Sequence, residues 1–463
     1  MVFSSAPFVF VFLPILFIVY LATPGFRQKN VVLTIGSLLF YGYGEPVFLL
    51  IMIFSIVINY LLAIIMVKYE SLSKPVLIVA IGVNVAIIGV FKYAGFVVET
   101  LNNVLGWEFH VPEIALPIGI SFFTFQIMSY VIDVYREPET LQKNLGKLML
   151  YVSFFPQLIA GPIVKYHDIS SYLDNRSFNL MEIKHGIERF IRGLSKKMLV
   201  ANVMGVVADD MFNMSTHNLS AVAAWIGALC YTLQIFFDFS GYSDMAIGMG
   251  HMFGFTIKEN FDYPYISTSI KEFWHRWHIS LSTWFKEYLY IPLGGNRKGS
   301  FRTGMNKLFV FFVTGLWHGA SWNFVIWGMI HGMAITMEDL LDRKGIFNKS
   351  RIFGHIYTMF IVVIAFVLFR ADTTVQGIEF IGRMFSFNEG GPVAATSLGI
   401  VLSPLNIAVF IVALILCCPH KKLNDRIFEK FYIISSAGSL FLFALCILAI
   451  ANNSFNPFIY FRF

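Results

Sequence analysis

Charge is what this chain has least of. Only 13% of its 463 residues are Asp, Glu, Lys or Arg, against roughly 25% in a soluble domain. With 57% hydrophobic residues and a mean hydropathy of +0.69, it carries more apolar surface than a water-facing fold can bury. Cysteine is also scarce. Cys230, Cys417, Cys418 and Cys446 all fall in apolar stretches, with no disulfide or zinc spacing, so they read as small buried hydrophobes. Met1 to Ala6 lacks the basic flank of a cleavable signal, and the apolar run reaches Leu21 before Arg27 and Lys29. That predicts a retained first helix, with the N-terminus outside if Arg27–Lys29 is cytoplasmic. There is no repeat, coiled coil, low-complexity linker or nucleic-acid module. The net charge of +6 fits cytoplasmic loops biased to Lys and Arg.

What the chain does have is long apolar runs, from residues 6–22 to 434–451. They are mostly continuous, not alternating segments of about ten residues, which excludes a transmembrane β-barrel. At about 20 residues per span, the pattern predicts an all-α polytopic membrane protein with about 10–12 spanning or re-entrant helices. The chain reads as one membrane domain in three parts. Residues 1–110 are apolar helices joined by short loops. Residues 111–345 alternate apolar helices with polar, aromatic segments. Residues 346–463 return to simple helices and end in an aromatic tail. Arg176 to Lys197 predicts an interfacial amphipathic helix, with Ile183, Ile187, Phe190 and Ile191 on one side.

The longest polar stretch, 258–307, holds eight Lys or Arg against four Asp or Glu and should face the cytoplasm. Within it, Ile270 to Tyr290 reads as one helix. Trp274, Trp277, Leu281, Trp284 and Tyr288 share a face; Lys271, His275, His278 and Ser282 share its neighbour. That polar face is either an interfacial surface or the mouth of a substrate tunnel. Gly294 and Gly295 then end the helix with backbone freedom barred to other residues, and no Gly-Lys-Ser/Thr follows to make a P-loop.

Polar groups inside the apolar runs are the candidates for chemistry. His318 follows a strongly apolar run, Phe309 to Trp317; an ionisable group at membrane depth usually lines a cavity or pathway. Gln234, Asp238 and Tyr242 lie at i, i+4 and i+8, on one face if Gly241 does not break the helix. A buried Asp238 needs a cationic or multi-donor partner, or stays protonated. Ser121, Thr124 and Gln126 either join helices or line a cavity. Pro156 to Pro162 is a helix-breaking patch of the kind tolerated beside protein or a cavity.

Phe273–Trp274–His275–Arg276–Trp277–His278–Ile279–Ser280–Leu281–Ser282–Thr283–Trp284–Phe285, Tyr288 to Arg297, and Gly315–Leu316–Trp317–His318–Gly319–Ala320 closely resemble the membrane-bound O-acyltransferase family. The resemblance runs nearly end to end. It is nearest the bacterial branch serving alginate O-acetylation, peptidoglycan O-acetylation and teichoic-acid D-alanylation. The opening Met1 to Ser5 and the ending Pro457 to Phe463 look like the alginate type. The resemblance implies a helix bundle around a transmembrane tunnel, in the bacterial cytoplasmic (inner) membrane. It implies acyl transfer, with His318 matching the family's active histidine and His278 the second polar position. The donor it implies is acetyl-CoA or a phosphopantetheinyl carrier. No cofactor is held tightly and no metal is expected. The acetyl group would pass to a separate periplasmic or extracellular transferase of the SGNH type, with a Ser-His-Asp site, and on to an exported polysaccharide.

Transfer from a thioester to a hydroxyl needs a base and donors for the oxyanion. His318 is expected to be the base, and His278 to orient the donor or hold the tetrahedral intermediate. Asn323 is a candidate supporting donor. Gln234 and Asp238 are candidates for the tunnel wall. Arg276, Lys286 and Arg297 would bind the donor's phosphates or are ordinary loop charge. Tyr460, in a tail where five of the last six residues are aromatic or aliphatic, is either part of an interfacial anchor or a relay that takes the acyl group as an ester. The rival readings are a transporter, which leaves its substrate unaltered, and a scaffold for envelope synthesis. Within the enzyme reading a secreted glycan such as alginate comes first, peptidoglycan second and D-alanylation third.

Overall fold

The computed structural model describes residues 1–176, 179–343, 350–386, 403–419, 432–452 and 458–459. Every regular element among these residues is helical, and no strand occurs among them. That is the physical expectation for continuous apolar runs, because in lipid a helix satisfies its own backbone. The chain divides into two compact units, residues 1–190 with 243–258, and residues 191–242 with 259–463.

The first unit is built from α1 (Leu13–Ala22), α2 (Phe26–Gly44), α3 (Pro46–Lys68), α4 (Ser73–Ile88), α5 (Ala94–Leu105), α6 (Ile120–Arg136), α7 (Leu145–Ser153), α8 (Phe155–Leu158), α9 (Tyr166–Asp174) and most of α10 (Leu180–Ser195). Helices α3, α4 and α6 pack on one another. The buried amides of Asn59 and Asn84 pair across α3 and α4, with Nδ2 of Asn84 donating to Oδ1 of Asn59 at 2.8 Å and the reverse bond at 3.3 Å. A reciprocal amide pair is an effective glue where nothing else solvates the groups. Ser121 accepts from Lys92 Nζ at 3.2 Å. Thr124 Oγ1 and the Gln126 side chain are buried without a hydrogen bond among the described residues. The Pro156 patch is the one-turn helix α8 followed by a turn and an irregular segment.

The second unit contains α11 (Asn202–Phe212), the 221–242 part of α12 (Ala221–Met252), α13 (Ile270–Arg276), α14 (Ile279–Phe285), α15 (Gly299–His318), α16 (Trp322–Arg343), α17 (Arg351–Arg370), α18 (Thr374–Met384), α19 (Pro404–Leu416) and α20 (Tyr432–Asn452). Two expectations need correction. Gly241 does not break α12, which runs unbroken for 32 residues. A Cβ there would lie 2.7 Å from the carbonyl oxygen of Gly193, so this glycine permits a close backbone approach. The single helix expected over 270–290 is broken at His278, whose φ of 44° is left-handed, and Lys286–Tyr290 is a π-helical turn. Cys418 also departs from expectation, being exposed.

Helices α15 and α16 form a tight hairpin. A Cβ at Gly315 would meet the Phe324 carbonyl oxygen at 2.3 Å, and one at Gly328 would meet that of Phe311 at 2.3 Å. Small residues let the two backbones touch, and His318 sits where α15 ends. Five helical segments among the described residues are long and apolar enough to cross a membrane: Pro46–Lys68, Glu70–Leu105, Ala221–Met252, Trp322–Asp342 and Arg351–Arg370. Phe8–Ala22, Pro404–Leu416 and Ser436–Asn452 are shorter apolar helices. The apolar run at 197–208 lies in a helical stretch that continues from α10 through a π-helical turn, Lys196–Ala201, into α11 without a break.

Candidate active site

The second unit brings His278 and His318 together. Their ring centroids are 6.4 Å apart with planes at 62°, and the residues are 0% and 3% exposed. Aromatic rings wall both. His278 meets Phe239 edge-on at 4.6 Å and Trp317 at 6.0 Å. His318 meets Trp317 at 5.0 Å, Trp327 at 4.9 Å and Phe369 at 5.2 Å. Such a shell excludes water, which strengthens every polar interaction inside it.

The break in the 270–290 segment is what puts His278 there. Helix α13 is capped by Ser269, whose hydroxyl accepts from the Glu272 N–H at 3.0 Å. Glu338 of α16, buried, accepts from the N–H groups of Ile270 and Lys271 at 2.6 and 3.0 Å. A carboxylate on the first amides of a helix satisfies donors that have no internal partner. With α13 pinned, the chain reverses through His278 in a conformation that costs a non-glycine residue about 1–2 kcal/mol. Asn260 holds that reversal: its carbonyl oxygen accepts from the Ile279 N–H at 2.9 Å, and its side-chain Oδ1 lies 3.2 Å from His278 Nδ1. His278 Nε2 has no hydrogen bond among the described residues. Burial pushes the His278 imidazole down to a pKa of about 3, so it is neutral at pH 7.

A cavity of about 290 Å³ in the same unit is lined by Lys271, His275, Ile279, Ser282, Thr283, Lys286, Lys307, Thr314 and several apolar side chains, and by neither histidine of the pair. Ile279 follows His278 in the chain, and Thr314 lies one turn before His318. Lys271 and Lys307 both pair with Asp339, the former at 3.5 Å. Lys286 is exposed and makes no ion pair among the described residues. Burial lowers the pKa of His275, helped by the charges of Lys271 and Lys286 and opposed by Glu272. An apolar cavity rimmed by lysines suits a ligand with a phosphate end and an uncharged arm.

Arg276 does not line this cavity. Its guanidinium bonds Glu272 Oε1 at 3.0 Å and Asp262 Oδ2 at 3.1 Å. Arg297 is exposed in the turn after Gly294 and Gly295, whose φ values of 106° and 51° are the left-handed conformations their identity predicts. Asn323 ties the start of α16 to the end of α17, donating to the Ala371 carbonyl at 2.6 Å and accepting from Ser321. Gln234 packs against Gly205, and its Oε1 has no hydrogen bond among the described residues.

Asp238 has both partners that burial demands. Lys197 Nζ lies 2.7 Å from Oδ1, and the backbone N–H of Ile459 donates to Oδ2 at 2.7 Å. Phe458, 1% exposed, packs on Tyr242 at 4.7 Å and on Phe239 at 6.1 Å, the ring that also meets His278. Phe458 and Ile459 are thus interior residues. Tyr460 lies outside the described residues.

The sequence reading missed Asn260, Glu338 and His331. His331 is fully buried and stacks on Phe273 with centroids 6.1 Å apart and planes at 7°. It lies in an apolar helix, as His318 does beside its own run, and that signal was available. Asn260 and Glu338 act through backbone amides distant in sequence, for which a linear pattern holds no sign.

Comparison with known proteins gives a consistent picture. The model of the membrane-bound O-acyltransferase family matches residues 120–371. A probable alginate O-acetylase AlgI of Pseudomonas putida is 39% identical across 100% of both chains. A peptidoglycan O-acetyltransferase of Helicobacter pylori is 34% identical, over 84% of this chain and 80% of its own. A teichoic acid D-alanyltransferase of Bacillus subtilis is 27% identical over 49% of this chain and 60% of its own.

Proposed function

Because the chain belongs to the membrane-bound O-acyltransferase family and is a multi-pass membrane O-acyltransferase, we propose that it moves an acetyl group from a cytoplasmic thioester toward an exported polysaccharide. The observation that carries this reading is the buried His278–His318 pair, whose chain neighbours Ile279 and Thr314 line a cavity that also holds Lys271, Lys286 and Lys307. The donor is acetyl-CoA or a phosphopantetheinyl carrier, with its phosphate at Lys286 and its acyl arm directed along α14 toward the histidines. His318 takes the proton from the acceptor hydroxyl as its oxygen bonds the acyl carbon. The carbon–sulfur bond then breaks, and the imidazolium returns that proton to the departing thiolate. The net change is one thioester exchanged for one ester, with one free thiol.

The first acceptor in this reading is Tyr460, which follows the buried Ile459. A tyrosine with its usual pKa of about 10 needs a base to become a nucleophile. The ester is passed to an SGNH-type transferase outside the inner membrane and from there to the glycan. Alginate is favoured as that glycan by the full-length similarity to a probable alginate O-acetylase, and peptidoglycan is second.

The test uses purified protein in lipid vesicles with radiolabelled acetyl-CoA on one side. Label is expected on the C-terminal peptide of wild type and on an added partner, and on neither with His318→Ala. Equal label in wild type and His318→Ala removes His318 from the chemistry. Label on the partner with Tyr460→Phe, at an unchanged protein level, removes the relay.

A further inference from the structure

We propose that Asn260 is a positioning residue that fixes the tautomer of His278, so that His278 Nε2 accepts a hydrogen bond from an amide N–H on the donor's thioester arm. This rests on the acyl-transfer reading above and names how the donor is held within it.

The identity of one Asn260 side-chain atom is fixed by its neighbours. The backbone N–H of Ser280 donates to Asn260 Oδ1 at 3.1 Å, and the Ser280 hydroxyl donates to the same atom at 2.8 Å. A backbone N–H is only ever a donor, so that side-chain atom is the amide oxygen and not the amide nitrogen. His278 Nδ1 lies 3.2 Å from this oxygen and 3.5 Å from the Ser280 hydroxyl, whose hydrogen is given to the nearer Asn260 Oδ1 at 2.8 Å, so Nδ1 is the atom that carries the ring proton. A neutral imidazole with its proton on Nδ1 presents a lone pair at Nε2. Such a ring accepts hydrogen bonds there and cannot donate one to an oxyanion. The expectation that His278 holds the tetrahedral intermediate therefore gives way to its other expected role, orienting the donor.

Three further observations give the lone pair a purpose. Nε2 is buried with no partner among the described residues, so an acceptor is held ready in a dry site. The backbone strain at His278 is kept where a buried asparagine, 0% exposed, over-determines it, a pattern that clusters at ligand-binding positions. The next residues along the chain, Ile279, Ser282 and Thr283, line the lysine-rimmed cavity. A pantetheine arm entering there carries amide N–H groups close to its sulfur.

The groups against the ring leave little else to titrate with it. Helix α12 contributes Phe239, the 259–263 loop contributes Asn260 and Phe261, and α15 contributes Trp317 and His318. His318 is the titratable one. The charged pair Asp238–Lys197, next to Phe239 in sequence, is matched internally.

The test has two arms, both on the full-length protein in vesicles. Nitrogen-15 histidine NMR, with His278→Asn as the difference spectrum, reads the tautomer directly in wild type. A protonated Nδ1 and bare Nε2 are expected, and a protonated Nε2 overturns the proposal. The second arm measures KM for acetyl-CoA between about pH 8 and pH 5.5. Wild type is expected to be flat. Asn260→Asp places a carboxylate on Nδ1 and favours the imidazolium, which has no lone pair. Its KM is expected to rise about tenfold per pH unit below the new pKa, while the acid limb of kcat stays where wild type has it. His278→Asn/Asn260→Asp keeps an acceptor oxygen that does not titrate, so its KM is expected to be flat again. A flat KM in Asn260→Asp overturns the proposal. So does an acid limb of kcat that moves while KM does not, because His278 is then the base. Wild type without turnover on acetyl-CoA, but with a bare Nε2, overturns the donor reading and with it the role of Nε2, whereas turnover with a protonated Nε2 overturns the role of Asn260 alone.

Discussion

Two helical segments of this chain are both long and apolar enough to span a membrane, and they are used in opposite ways. In Glu70–Leu105 only 11% of the spanning window is buried inside the protein; in Ala221–Met252 the figure is 78%. The first spends its apolar side chains on the surroundings. The second spends them on protein, and it carries the ring of Phe239 to His278. Hydropathy registers the cost of leaving water and is blind to which non-aqueous phase receives the side chain. Asp238 inside α12 is met by a cation and a backbone N–H, which lipid does not provide.

The largest expected effect comes from breaking that match. Asp238→Ala breaks a buried ion pair by removing the carboxylate from Lys197, which is 4% exposed, at a cost of about 3–5 kcal/mol. It also frees the Ile459 N–H. Thermal unfolding in detergent should show a large fall in the midpoint, and Lys197→Met combined with Asp238→Asn should recover most of it. Val79→Ala, at a residue 52% exposed on α4, should change the midpoint little. Equal losses at the two positions would mean that the burial contrast does not govern stability.

Glycine sharpens the same contrast. A Cβ at Gly82 on α4 would meet nothing within 4 Å, whereas at Gly315 it would meet the Phe324 carbonyl oxygen at 2.3 Å. Gly82→Ala should be neutral or stabilising by up to about 1 kcal/mol, from helix propensity alone. Gly315→Ala should cost about 1–3 kcal/mol as the α15–α16 hairpin is forced apart. Because His318 follows one turn later, transfer activity should fall further than stability does. The two unfolding midpoints and the initial transfer rates check this directly.

How much of this was legible in the sequence follows from the same physics. Helical class, membrane context and the His318 motif are carried by composition and by contiguous residues, so a linear reading reaches them. The need of Asp238 for a partner was legible, but not that the partner is Lys197 from 41 positions earlier. The reading of 270–290 as one helix failed at His278. The i, i+3, i+4 pattern of aromatics continues across the break, because both short helices bury Trp side chains: Trp274 on α13 and Trp284 on α14 are 7% and 4% exposed. Periodicity records burial, and a left-handed residue between two buried turns leaves it intact. Lys271 and His275 stay exposed on the cavity side while His278 turns fully inward, which the shared-face expectation did not separate.

That separation has a pH signature. In the unfolded chain His278 takes a proton near pH 6.5; in the folded protein burial holds its pKa down to about 3. Between these values the unfolded state binds more protons, so stability falls as pH drops, by about 1.4 kcal/mol per unit from this group. Above about pH 6.5 it contributes no slope. His278→Asn should flatten the unfolding midpoint between about pH 6.5 and pH 5 relative to wild type. His275→Asn should flatten it less, since that ring is exposed and its pKa is less depressed. Equal flattening by the two variants would place both rings in one environment.

The smallest expected effect separates two cations ten residues apart. Arg276 is held by Glu272 and Asp262, so its charge is already used. Lys286 faces the cavity with its charge uncommitted among the described residues. Arg276→Gln should therefore lower the unfolding midpoint slightly and leave KM for acetyl-CoA near the wild-type value. Lys286→Gln should leave the midpoint alone and raise KM about two- to fivefold, the equivalent of up to about 1 kcal/mol for one exposed charge contact. The Lys286 effect should shrink as salt is raised, because exposed charges are screened within about 10 Å at 0.1 M. A salt-dependent rise in KM in Arg276→Gln instead would mean that the guanidinium leaves its carboxylates to meet the donor, and the phosphate site would then move from the π-helical turn after α14 to α13.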